Sequence, residues 1–209
     1  MPSYDALLNA LLTMLVTIDP PGLAPLFLAV TRGMNRAERM QVAARSSIIA
    51  FCVLTLFALG GGVILTLFGI TLPAFRVAGG LLLFFIAFEM IFERRQERHE
   101  KSAERAVTHD MIRNIAAFPL AIPLIAGPGA ISASVLIAGT FDSYAGVALL
   151  VLIIGFCIGA TFLVFVLAER IDRFLGETGR SILTRLLGVI LAALAVQFVA
   201  DGIKALMAA

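Results

Sequence analysis

The stretch Ile18-Asp19-Pro20-Pro21-Gly22-Leu23-Ala24-Pro25 sets three prolines inside an apolar run of membrane-spanning length. Pro119-Leu120-Ala121-Ile122-Pro123-Leu124-Ile125-Ala126-Gly127-Pro128-Gly129 does the same a hundred residues later. Proline has no backbone N–H and clashes with the preceding turn, so it frees carbonyls where lipid cannot hydrogen-bond them. Six of the eight prolines lie in these two stretches, so the interruptions are concentrated in two helices. Broken helices at matching places in two halves of a membrane protein point to a transport site at mid-depth.

The rest of the chain supports a bilayer setting. It is 60% hydrophobic and 14% charged, with a mean hydropathy of +1.01, well above soluble domains at roughly 45–50% apolar. Six segments reach spanning length, near 5–31, 46–68, 72–92, 112–139, 144–168 and 182–207, where about 20 apolar residues suffice. The first lacks a basic leader and a small-residue cleavage site, so it is expected to be retained. On this six-span reading, 14 of the 16 basic residues fall on one side, and only Arg76 and Lys204 fall on the other. The excess of Arg and Lys marks the cytoplasmic side, which places both termini outside, in the periplasm of a bacterial inner membrane.

The two halves also resemble each other. Aligning Pro21-Gly22 with Pro128-Gly129 gives an offset of 107, and aligning Arg76-Val77-Ala78-Gly79 with Arg185-Leu186-Leu187-Gly188 gives 109. The expected fold is an all-α, six-helix membrane protein of two inverted three-helix repeats, with helices 1 and 4 broken at mid-membrane. Residues 1–92 form the first repeat, 93–111 a polar cytoplasmic linker and 112–209 the second. Three spans per repeat is an odd number, so the second half enters the membrane upside down. Asp19 and Gly127 then lie at similar depth, roughly 20 Å along their helices at 1.5 Å per residue.

Asp19 is flanked by uncharged residues from 6 to 18 and from 20 to 31. A carboxylate at the bilayer centre is costly and needs compensation. Asp is a favoured N-cap and Pro a favoured first helical residue, so Asp19 could cap a half-helix restarting at Pro20. It could equally carry a coupling proton, bind a cation such as sodium, or hold a substrate ammonium. Gly127, Pro128, Gly129 and Ala130 offer the opposite polarity. A half-helix starting near Pro128 would aim amide N–H groups and a positive dipole end at mid-membrane, a seat for a carboxylate, with Ser132 and Ser134 adding hydroxyls. Close helix packing is the alternative use of those small residues.

Other features are assigned plainer roles. Arg76 opens span 3 and is a candidate outer gate or ion-pair partner, whereas Arg185, Glu89 and Lys204 are expected to reach the interface. Gln197 is expected to bond across helices. Cys52 and Cys157 read as small buried hydrophobes without metal-ligand spacing. Phe84, Phe85, Phe88 and Phe92 read as a lipid-facing or packing stripe. Gly60-Gly61-Gly62 and Gly155-x-x-x-Gly159 suit a homo-oligomer or internal packing. No nucleotide loop, nucleic-acid patch, metal site or catalytic constellation is visible, so neither an enzyme nor an organic cofactor is expected. A channel and a cytoplasmic scaffold or sensor stand as rivals to a carrier.

Three motifs in order carry a resemblance. They are Asp19-Pro20-Pro21-Gly22-Leu23-Ala24-Pro25-Leu26-Phe27, Phe68-Gly69-Ile70-Thr71-Leu72-Pro73-Ala74-Phe75-Arg76-Val77-Ala78-Gly79-Gly80, and Phe118-Pro119-Leu120-Ala121-Ile122-Pro123-Leu124-Ile125-Ala126-Gly127-Pro128-Gly129-Ala130-Ile131. Together they resemble the MarC family of bacterial inner-membrane proteins, grouped with the SnatA-type transporters. The resemblance implies a secondary carrier of small neutral amino acids such as alanine, glycine or serine, with export as one direction and drug or other metabolite efflux as the alternative. The expected site, between broken helices 1 and 4, draws on Thr17, Asp19, Pro20, Pro21 and Gly22 for the ammonium, and on Gly127, Pro128, Gly129, Ala130 and Ser132 for the carboxylate. The family often has Asn where this chain has Asp19, which favours capping over proton carriage.

Overall fold

A computed structural model describes residues 3–92, 115–141 and 143–208. The expected linker at 93–111 and the first residues of span 4 therefore lie outside the described residues. Every element among the described residues is helical: α1 (Tyr4–Ile18), α2 (Pro20–Val30), α3 (Arg36–Leu67), α4 (Leu72–Ile91), α5 (Ala116–Ile125), α6 (Pro128–Ala138), α7 (Tyr144–Val166) and α8 (Ala168–Met207). Five are long and apolar enough to cross a membrane when α1 and α2 count as one broken span. The pair α5 and α6, bent by 57°, makes up to six.

Local chemistry explains the helix ends. Asn35 and Glu38 form a reciprocal capping box, with Glu38 N–H donating to Asn35 Oδ1 at 3.0 Å and Asn35 N–H to Glu38 Oε2 at 2.7 Å. That box starts α3 at Arg36, ten residues before the expected span, because capping satisfies the first amides in water. Arg36, Arg39 and Arg45 therefore ride on the first turns of a helix. Ser3, Thr71 and Ser143 cap α1, α4 and α7 one-sidedly, their hydroxyls accepting from the N–H of Ala6, Ala74 and Gly146. The last helix also exceeds expectation, running from Ala168 with a break at Gly176 (φ 60°) before its spanning part, Ser181–Met207.

The broken spans form the interior. In the first span 67% of the apolar window is buried within the protein, against 17% in the last, so the prolines stand in protein and not in lipid. Met14, Ile18, Leu23 and Phe27 from the first span pack in one core with Leu54, Leu83, Leu120, Leu124 and Leu136. The outer surface carries exposed Leu56, Leu59, Phe84, Phe85 and Leu152, as a lipid-facing wall requires.

Helix pairing recurs between the halves. Helix α4 runs along α8, α3 packs on α7, and α1 meets α6 as α2 meets α5. In the same way α3 touches α5 and α6 as α7 touches α1 and α2, and α4 touches α6 as α8 touches α2. The α4–α8 seam is built on small residues. A methyl group placed on Gly80 would stand 2.9 Å from the Ala195 carbonyl oxygen. On Gly188 it would stand 3.1 Å from that of Ala87, and on Gly202 3.0 Å from that of Pro73. These contacts step by seven residues in opposite directions along the two helices, the register of an antiparallel coiled seam. Glycine lets the backbones touch where no hydrophobic effect draws helices together.

Several surface expectations need correction. Gln197 donates to Asp201 Oδ1 at 2.9 Å on its own helix, because a residue four positions on lies on the same face. Glu89 is 7% exposed and turned into the protein, away from the interface. Cys52 is exposed on the outer wall, whereas Cys157 is buried as expected. Gly60, Gly62 and Gly159 face open space, and Gly61 alone of its triplet packs closely, against Val135.

Candidate functional site

The first break is a single residue. Asp19 adopts the left-handed conformation, φ 56° and ψ 61°, and serves both adjoining helices. Its N–H donates to Leu15 O at 2.9 Å and closes α1, while its carbonyl accepts from Leu23 N at 3.2 Å and opens α2. Its carboxylate Oδ1 accepts from Gly22 N at 3.3 Å. A helix normally begins with four amides lacking partners. Here Pro20 and Pro21 have no N–H, and Asp19 and Gly22 are already bonded, so the start of α2 has no donor to offer.

The same prolines withhold intrahelical donors from the end of α1. The residues four positions after Val16 and Thr17 are Pro20 and Pro21, and the amide that would serve Ile18 is taken by the Asp19 carboxylate. Pro25, inside α2, likewise withholds a donor from Pro21. The C-terminal end of α1 thus presents oxygen at the negative end of a helix dipole, next to a buried carboxylate that is 5% exposed. Thr17 is 2% exposed, and its hydroxyl donates back to Thr13 O at 2.5 Å.

The second break is longer and differently made. The residue before a proline is driven to extended backbone. Phe118 (φ −136°, ψ 125°), Ile122 (φ −130°, ψ 124°) and Gly127 (φ −77°, ψ 169°) all obey, ahead of Pro119, Pro123 and Pro128. The Ile122–Pro123 bond is cis. Wide turns result, with Ala126 N–H bonding five residues back to Ala121 O at 2.8 Å. Helix α6 then starts with Gly127 as N-cap and Pro128 as first residue, and no side chain caps it. Its leading amides, those of Gly127, Gly129 and Ala130, form an uncapped positive end, unlike the closed start of α2.

The two breaks meet. A methyl group on Gly129 would lie 3.1 Å from Thr17 Cγ2 and would overlap Ile86 Cδ1, so the amide end of α6 sits directly against the carbonyl end of α1. Ser134 is occupied elsewhere, donating to Ala130 O at 2.8 Å with Met14 Sδ at 3.8 Å. Ser132, at 9% exposure, lies one turn inside α6. Arg76 is not drawn to this place: it sits half-buried early in α4, with Nε buried and without a hydrogen-bond partner among the described residues. No group of three or more metal-ligating side chains occurs among the described residues.

A feature that sequence reasoning missed lies beyond α2. A cavity of about 550 Å³ opens between the ends of α2 and α7 and the starts of α3 and α8, lined among others by Phe27, Arg36, Arg39, Phe165, Glu169 and Arg170. Across it Arg39 Nη1 pairs with Glu169 Oε1 at 2.5 Å, so the first and last basic connections lie at one end of the molecule. Those arginines read only as topology signals in sequence, because nothing local says that they share a space.

This fold and site define a multi-pass, all-helical integral membrane protein with two broken helices in its interior. The chain belongs to the MarC family: residues 4–207 match the family described as MarC family integral membrane protein. It is 36% identical over 203 residues to a UPF0056 membrane protein of Aquifex aeolicus, covering 95% of this chain and 92% of that one. It is likewise 36% identical to an Archaeoglobus fulgidus relative of the same description, over 91% and 89% of the two chains. With the Bacillus subtilis UPF0056 membrane protein YvbG it shares 32% identity over 96% and 95%. No solved structure matches the chain.

Proposed function

We propose that the protein is a secondary carrier of small neutral amino acids, holding a zwitterion between its two broken helices. The observation that carries this reading is the meeting of opposite poles: the amide end of α6, at Gly127, Gly129 and Ala130, against the carbonyl end of α1 and the Asp19 carboxylate. A substrate carboxylate would bind the amide end and its ammonium the carbonyl end. Glycine at 129, where a methyl already collides, keeps the space small and suits alanine, glycine or serine over larger cargo.

Inverted-repeat architecture is part of the proposal, and the register supports it. Asp19 and Gly127, both N-caps followed by proline at the first helical position, are 108 positions apart. The seam pairs Gly80/Ala195 and Ala87/Gly188 exchange under that same offset, 80 with 188 and 87 with 195. It falls midway between the two offsets visible in sequence. Such symmetry supports alternating access, with one repeat rocking against the other. The charge distribution, joined at one end by Arg39–Glu169, supports both termini lying outside the cytoplasm.

The test is uptake and counterflow of labelled alanine in proteoliposomes, under imposed proton and sodium gradients. Saturable flux accelerated by internal alanine is expected. Conductance without counterflow would favour a channel instead, and no saturable flux of any small neutral amino acid would remove the substrate assignment.

A further inference from the structure

The cavity at the charged end is separated from the helix breaks by two rings. Phe27 and Phe165 stack with centroids 4.5 Å apart and planes within 7° of parallel. Both line the cavity, yet each is only 2% exposed. Phe27 lies on α2, the half-helix that starts at the Asp19 break, and seven residues beyond Pro20 put it roughly 10 Å further along at 1.5 Å per residue. The rings therefore stand between the break at one end of α2 and the cavity at the other. Helix α2 is joined to α1 by Asp19 alone, a residue in the left-handed conformation. Beyond the rings the walls carry both signs of charge, Arg36, Arg39 and Arg170 with Glu169.

The other half closes differently. Val135, 108 positions after Phe27, packs on Gly61, where an added methyl would stand 2.6 Å from Val135 Cγ2. One end is sealed by direct helix contact, the other by a pair of removable rings facing an open space.

We propose that the 550 Å³ cavity is the vestibule of the permeation path and that the Phe27–Phe165 stack is its closed gate, opened by a swing of α2 about Asp19. The proposal rests on the reading of the Asp19/Gly127 break as the transport site. Its test reads access without needing a substrate. Ser132→Cys is introduced at the break, and its alkylation by a membrane-impermeant maleimide is followed in inside-out vesicles, with the parent carrying only Cys52 and Cys157 as baseline. Slow labelling is expected while both rings are present, and at least tenfold faster labelling with Phe27→Ala or Phe165→Ala. If the alanine variants do not assemble, Phe27→Val and Phe165→Leu make the same comparison with less lost volume. Unchanged labelling in folded variants of both positions overturns the gate. Faster labelling without alanine flux would keep the gate and remove the carrier reading. Flux with unchanged labelling would do the reverse.

Discussion

Asp19 and Gly127 occupy the same place in two half-helices, each the N-cap before a proline at the first position, yet only Asp19 brings a side chain to close the amides behind it. One break is thereby left rich in acceptors and the other in donors. The asymmetry makes Asp19 a structural cap first. Asn can cap and enters the left-handed region, whereas Ala does neither well. Asp19→Asn should melt within about 0.5 kcal/mol of wild type in detergent, and Asp19→Ala should lose about 2 kcal/mol. Gradient-driven alanine flux should persist in Asp19→Asn. Loss of proton coupling with unchanged melting would make the carboxylate the coupling group.

The seam between α4 and α8 gives a second contrast. Gly80→Ala pushes a methyl to 2.9 Å from Ala195 O, while Gly60→Ala points one into open space. The first should lower stability by about 1–3 kcal/mol, as overpacking does. The second should be neutral or gain up to about 1 kcal/mol through helix propensity. Thermal melts of the two variants in one detergent check both signs.

Two serines two residues apart should separate binding from packing. Ser134 bonds Ala130 O and reaches Met14 Sδ, so Ser134→Ala should melt earlier by about 1 kcal/mol and leave KM for alanine unchanged. Ser132→Ala should melt normally and raise KM about three- to tenfold, the worth of one neutral hydrogen bond. Initial-rate uptake in proteoliposomes distinguishes them.

The Arg39–Glu169 pair is more exposed, 28% and 62% by side chain. Glu169→Ala should cost only about 0.2–1 kcal/mol, a loss that shrinks in high salt. A larger, salt-insensitive loss would mean that the pair is shielded from water. Melting curves at low and high salt decide between them.

Much of the site was legible because proline acts locally. Pro20 and Pro128 announce their helix starts, and an aspartate directly before a proline at the first helical position is placed to cap. The start of α3 is equally readable in Asn35-x-x-Glu38, a capping signal that lies ahead of the apolar run by which a span is recognised. Glu89 and Gln197 were misplaced for a different reason. Their surroundings come from helices distant in the chain or from the turn of their own helix, and a hydropathy pattern holds neither.

What the sequence determined by itself was which helices are long and apolar enough to span and where they break, since each follows from the bilayer's thickness, its lack of hydrogen-bonding groups and the missing N–H of proline. Only the tertiary structure decided that Gly129 lies against Thr17, that α4 and α8 meet in a seven-residue glycine seam, and that Phe27 closes a cavity with Phe165. Those contacts join residues 101 to 138 positions apart. Their geometry is set by which side-chain volumes interlock, a property of paired surfaces that neither strand of sequence carries alone.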